Sequence, residues 1–168
     1  QWYMVKLLNY MTSIFQKFNE LKKDMSTYRF GLLHTKEYRI LKNTTAQLLQ
    51  NYNITTVDWA FLGALYDTKS GMGSSEMAEL LDVEAPFVTA TVDTLEKKGL
   101  IQRQQSAHDK RAKTLVLSKE ALKLIPEIEH YLKKETKYLL EGVAIKDLLA
   151  YRRVMLLVIE NSKQKTLK

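Results

Sequence analysis

The sequence predicts a mainly helical fold that carries one small β-hairpin, and three observations predict it. Two short helical patterns lie close together: Ser75-Glu76-Met77-Ala78-Glu79-Leu80-Leu81, then Pro86 to Glu96, the second stopped by Gly99. A hairpin pattern follows, with Leu100-Ile101-Gln102-Arg103, a polar turn Ser106-Ala107-His108-Asp109-Lys110-Arg111, and Thr114-Leu115-Val116-Leu117. Apolar residues at helical spacing continue well beyond this unit on both sides. Helix, helix, strand, turn and strand in that order make a winged helix-turn-helix, in which one helix can enter the major groove of DNA and the hairpin a neighbouring groove.

Three regions are expected. Residues 1–53 form N-terminal helices of a dimerisation region, 54–118 the winged domain, and 119–168 C-terminal dimerisation helices. In the first, Met4, Leu7, Leu8, Met11, Ile14, Phe15, Phe18 and Leu21 give an amphipathic helix whose broad apolar face needs a partner. A second helix is expected from about Tyr38 to Tyr52, after a less regular stretch around Gly31, with Asn51-Tyr52-Asn53 as its stop. Thr55 or Thr56 caps a third helix, because a hydroxyl accepts from free first-turn amides and Asp58 complements the positive helix end.

Lys69-Ser70-Gly71-Met72-Gly73 reads as a loop, and Ser74 or Ser75 as the cap of the helix that follows. Pro86 sits in a first turn, where the amide it lacks would have had no helical partner, so the next helix starts near Ala85. Val88, Val92 and Leu95 share its core face, leaving Phe87, Thr89, Ala90, Thr91, Asp93 and Thr94 towards the other sides. Ser118 can cap a long helix that bends near Pro126. Glu141-Gly142-Val143-Ala144 interrupts it, and a last helix begins at Ile145 and ends in a frayed tail over Lys163, Lys165 and Lys168. The apolar surplus of that last helix and of the N-terminal one points to burial between subunits.

At 168 residues and 45% apolar content the chain can bury one sizeable core. Twenty-six Lys and Arg against nineteen Asp and Glu leave a charge of +7, which favours polyanions such as nucleic acid or acidic membrane surfaces. The absence of cysteine excludes disulfides, thiolate zinc sites and thiol redox sensing by this chain, and fits a reducing cytoplasm. Lys6, Asn9, Thr12, Gln16 and Lys17 interrupt the run from Trp2 to Phe18, so it lacks the continuous apolar core of a signal peptide. The longest unbroken apolar stretch, Val154 to Ile159, is far short of a membrane span. The first residue is Gln1 rather than Met, which leaves room for a longer natural N-terminus.

Catalysis finds no footing. His34, His108 and His130 are far apart and lack Asp or Glu partners at metal-ligand spacing, and Gly71-Met72-Gly73 lacks the lysine and preceding strand of a phosphate cradle. Neither an enzyme nor a cofactor or metal is expected.

Residues 54–117 resemble the MarR family of bacterial transcription regulators, and Val83-Glu84-Ala85-Pro86 is most similar to its SlyA branch. The resemblance rests on Ile54-Thr55-Thr56-Val57-Asp58-Trp59, Ser75 to Leu81, Val92 to Ile101, and Asp109-Lys110-Arg111 followed by Leu115 to Ser118, and extends loosely over Tyr38 to Asn161. It implies a cytoplasmic homodimer, triangular in outline, whose terminal helices intertwine and whose winged domains bind a pseudo-palindromic site in double-stranded DNA, more as repressor than activator. It implies that Arg111 enters the minor groove and Asp109 braces the wing; a guanidinium suits that narrow, electronegative groove. The chain departs from the SlyA branch at Ala90, where arginine is usual, and at Phe87, where a polar residue is usual, so the relatives' target sequence does not carry over.

The DNA-contacting set expected from these readings places Ala85, Pro86, Phe87, Thr89, Ala90, Thr91 and Thr94 at the bases. Ser74, Ser75, Arg103, Lys110 and Lys113 take phosphates, with Lys97 and Lys98 part of the same basic group, and Arg111 and Asp109 form the wing tip. The family often binds small aromatic compounds between dimer helices and winged domain, where Tyr38, Tyr52, Trp59, Phe61 and Tyr66 are candidates to line a site; aromatics at helical spacing also serve as core. The competing class is a winged-helix interaction module that grips a protein through Phe87 and its apolar neighbours.

Overall fold

The structure is a computed structural model that describes residues 26–68, 70–105 and 113–166, together with Thr12 and Gln16. The helix expected from Met4 to Leu21 lies outside these residues but for those two positions. The chain divides into two compact units, Gln1–Ala121 and Leu122–Lys168. Six helices and a small antiparallel sheet occur among the described residues, which is the mainly helical winged fold read from the sequence.

Helix α1 spans Thr27–Gln50. It starts well before Tyr38 and runs through Gly31, so the irregular stretch expected there is absent. A glycine inside a helix costs only about 1 kcal/mol relative to alanine, and a helix of this length absorbs it. The Thr35 hydroxyl donates to the Gly31 carbonyl at 2.7 Å. Asn51-Tyr52-Asn53 does end the helix: Asn53 adopts φ 55°, and the Ile54 amide turns back to the Leu49 carbonyl at 3.1 Å.

Helix α2 spans Thr56–Thr68, and Thr55 is its cap. The Asp58 amide donates to Thr55 Oγ1 and the Thr55 amide to Asp58 Oδ2, both at 3.0 Å, so two orphan amides are satisfied reciprocally. Phe61, Leu62 and Leu65 form its buried side.

The segment expected as a loop contains a strand. Strand β1, Met72–Gly73, pairs with β3, Lys113–Leu117, which pairs in turn with β2, Ile101–Gln105, giving the order β1-β3-β2. The registers are Met72↔Leu115 and Arg103↔Leu115. Gly71 makes the close approach possible. Its φ is 79°, and a Cβ there would strike the Leu115 carbonyl oxygen and lie 2.7 Å from Val116 Cγ1.

Helix α3, Ser74–Leu81, is capped from Gly73 and not from a serine: the Glu76 carboxylate accepts the Gly73 amide at 3.4 Å. Helix α4, Ala85–Lys97, follows with Pro86 in its first turn and Gly99 (φ 71°) just past its end, as the sequence predicts. Met77 of α3, Val88, Val92 and Leu95 of α4, and Ile101 and Leu115 of the sheet close the core with Phe61 and Leu62.

Ser118 caps helix α5, Lys119–Leu139, accepting the Ala121 amide at 3.0 Å. Pro126 lies inside a helix that runs unbroken past it, although the Leu122 carbonyl thereby loses its usual amide donor. Ile125, Ile128 and Leu132 form a buried stripe. After Gly142, φ 80°, helix α6 spans Ile145–Thr166, so the tail expected to fray is helical to Thr166. Ile145, Leu149 and Val154 to Ile159 are exposed on it. No helix among the described residues is long and apolar enough to cross a membrane.

Gly71→Ala should destabilise the protein by about 2 kcal/mol or more, because both the positive φ and the contact with β3 oppose a side chain. Urea unfolding measures the loss; a change under about 0.5 kcal/mol would contradict the packing described.

Candidate nucleic-acid interface

One face of α4 is committed to the core. Val88, Thr91, Val92 and Leu95 follow the i, i+3, i+4, i+7 pattern and are all buried. Thr91 therefore cannot read bases, which corrects the expectation for that residue. Helical spacing of valine, valine and leucine alone does not mark the threonine between them as core. Ala85, Pro86, Thr89, Ala90, Asp93, Thr94 and Lys97 are exposed. The Thr89 hydroxyl donates to the Ala85 carbonyl at 3.1 Å and the Thr94 hydroxyl to the Ala90 carbonyl at 3.0 Å.

Phe87 is exposed as well, by 45%. Its ring centroid lies 6.4 Å from that of Phe61, tilted by 59°, and it also walls a cavity. The cavity, about 440 Å³, is lined from α1 by Tyr38, Leu41, Lys42 and Thr45, from α2 by Thr56, Val57, Ala60 and Phe61, and by Leu81, Val83 and Phe87. Of the aromatic residues expected to border a ligand site, Tyr38 and Phe61 line this cavity. Tyr52, Trp59 and Tyr66 are not among its lining: Tyr52 sits in the turn after α1, and Trp59 and Tyr66 occupy other sides of α2.

Arg103, expected at a phosphate, is engaged by carboxylates of its own domain. Its guanidinium meets Asp93 Oδ1 at 2.6 Å and Glu96 Oε2, while its amide donates to Glu96 Oε1 at 3.0 Å. Its side chain is 24% exposed. Two carboxylates three residues apart on α4 thus grip both the backbone and the side chain of β2. The spacing of Asp93 and Glu96 was visible in the sequence, but nothing local there named the cation they would take.

Lys98, grouped in the sequence with the phosphate-facing cations, also turns inward. Its ammonium donates to Asp58 Oδ2 at 2.7 Å and to the Asn53 carbonyl at 2.8 Å, joining the end of α4 to the turn before α2 and to the first turn of α2. Burial pushes the Asp58 carboxyl up; the Lys98 bond and charge with the Thr55 amide and hydroxyl outweigh it and hold the group below its ordinary value.

Ser74 and Ser75 are exposed in the first turn of α3, and Lys113 is exposed at the start of β3. Asp109, Lys110 and Arg111 lie outside the described residues. Among the described residues no cluster of His, Asp and Glu could hold a metal ion.

Comparison with known proteins agrees with this geometry. The model of the MarR family matches residues 54–113. The fold is similar to that of the transcriptional regulator PA3341, with a TM-score of 0.72 and 27% identity, covering 80% of this chain and 98% of that one. It is similar to S. aureus MepR in a complex with DNA, with a TM-score of 0.66 and 21% identity over 83% and 97% of the two chains. It is also similar to CouR from Rhodococcus jostii RHA1 bound to p-coumaroyl-CoA, with a TM-score of 0.72 and 16% identity over 77% and 90%.

Because the folded Asp58 carboxyl ionises more readily than the unfolded one, its contribution is complete above the unfolded value and is lost as pH falls through the folded value. Asp58→Asn should cost about 2 kcal/mol near neutral pH. The difference from the parent should shrink as pH falls through the lowered folded value, below which both carry a neutral group. Thermal unfolding across that range checks the sign; a constant difference would remove the ion pair from the account.

Proposed function

We propose that this chain, a MarR-family protein over its winged segment, is a homodimeric, sequence-specific regulator of transcription that binds a pseudo-palindromic operator in double-stranded DNA, more as repressor than activator. One observation carries this: the outward face of α4 is free while its other face, its C-terminal end and the adjoining strand β2 are all fixed by core packing and ion pairs. A rigid helix whose N-terminal residues stand clear is what entry into a major groove requires. In this reading Ala85, Pro86, Thr89, Ala90 and Thr94 face bases. Ser74, Ser75, Lys110 and Lys113 take phosphates, and Arg111, braced by Asp109, enters the minor groove. The chain works in the cytoplasm, beside its DNA.

Dimer formation accounts for the exposed apolar surface of α6 and of α1, where Tyr28, Phe30, Leu32 and Leu33 are more than half exposed. The cavity beside Phe61 and Phe87 suits a small aromatic effector. Since Phe87 belongs to α4, an occupant bears directly on the base-reading helix, and it releases DNA only if it binds the free geometry more tightly than the bound one. The interaction-module alternative keeps its anchor, because Phe87 is 45% exposed although it also neighbours Phe61 and walls the cavity.

Arg111→Ala should weaken operator binding at least tenfold at physiological ionic strength, about 1.4 kcal/mol or more, with the dimer intact by sedimentation. Unchanged affinity would refute the wing assignment. The parent's binding should fall steeply with salt, as each neutralised phosphate releases counterions. Fluorescence anisotropy on fragments from upstream of the gene measures both, and only weak, sequence-blind retention would favour the interaction module.

A further inference from the structure

We propose that α4 reads its half-site through thymine methyl groups and rejects guanine at the positions it faces. This rests on the regulator reading above and names the base chemistry that the same site accepts. In the major groove thymine alone presents a methyl, adenine and cytosine each present an amino donor, and guanine presents only acceptors at N7 and O6. Guanine is therefore read by donors, chiefly a forked arginine or a lysine.

The outward face of α4 has methyls and acceptors but almost no donors. Ala90 offers a methyl, and Pro86 a ring without an amide hydrogen. The hydroxyl hydrogens of Thr89 and Thr94 are spent on the Ala85 and Ala90 carbonyls, which leaves each with a methyl and an accepting oxygen. Asp93 is an acceptor too, and the Arg103 guanidinium on its Oδ1 keeps it from standing as a bare charge against the DNA. Neither α3 nor α4 contains arginine, asparagine or glutamine. The only lysine of α4, Lys97, lies at its last residue, about 18 Å along the axis from Ala85. A guanine edge facing Thr89, Ala90 or Thr94 meets acceptor against acceptor, and a thymine there buries its methyl against theirs.

The test starts from operators selected out of a random duplex pool with the full-length dimer. Thymines at helix-facing positions should dominate the selected sites. Replacing each in turn by deoxyuridine removes only the methyl, and should weaken binding about fourfold per position, the worth of one buried carbon. Thr89→Ser and Thr94→Ser keep the hydroxyl and its helix bond, so each should reduce the uracil penalty at one position to less than twofold. Binding of the uracil duplex within twofold of the parent duplex, or guanine enriched at these positions, would overturn the proposal. A penalty that both serine variants leave unchanged everywhere would assign it to duplex shape and overturn it as well. A pool with no enrichment at all would instead remove the regulator reading, so the two failures are distinct.

Discussion

The ammonium of Lys98 is the contact on which the placement of α4 depends. Apolar burial along Val88, Thr91, Val92 and Leu95 holds α4 against the core, but packing of this kind is non-directional and tolerates small rotations. A charge held by both the Asp58 carboxylate and the Asn53 carbonyl is directional. It fixes the end of α4 to the start of α2, and the grip of Asp93 and Glu96 on Arg103 then fixes the sheet to α4. Both cations are held by carboxylates of the same domain and are only partly exposed.

The helices were legible wherever the sequence carries a local stop or start. Pro86 and Gly99 bracket α4, Thr55 with Asp58 marks the start of α2, Ser118 starts α5, and Gly142 separates α5 from α6. Two features were hidden because their cause is not local. Strand β1 is two residues long and exists only because β3 lies alongside it, which no propensity within Met72-Gly73 could reveal. Gly31 suggested a break, yet the helix around it supplies enough continuous bonding to carry it.

The site was less legible than the fold for the same reason. Thr89, Ala90 and Thr94 were placed on the outward side by helical spacing, and the structure exposes all three. Thr91 was misplaced because a 100° step puts it at the edge of a face, where neighbouring elements decide the outcome. Arg103 and Lys98 looked like phosphate ligands because charge in a sequence carries no direction; only the carboxylates brought from Asp93, Glu96 and Asp58 settle where they point.

The run Val154 to Ile159 on α6 has a geometric consequence. Six successive residues at 100° apiece sweep more than a full circle, so these side chains point in every direction around the helix axis and not along a single stripe. A flat neighbour laid on one side would leave several of them wet. Shielding the whole run takes material arriving from at least two sides, which favours an embrace in which this helix is enclosed over a simple side-by-side contact.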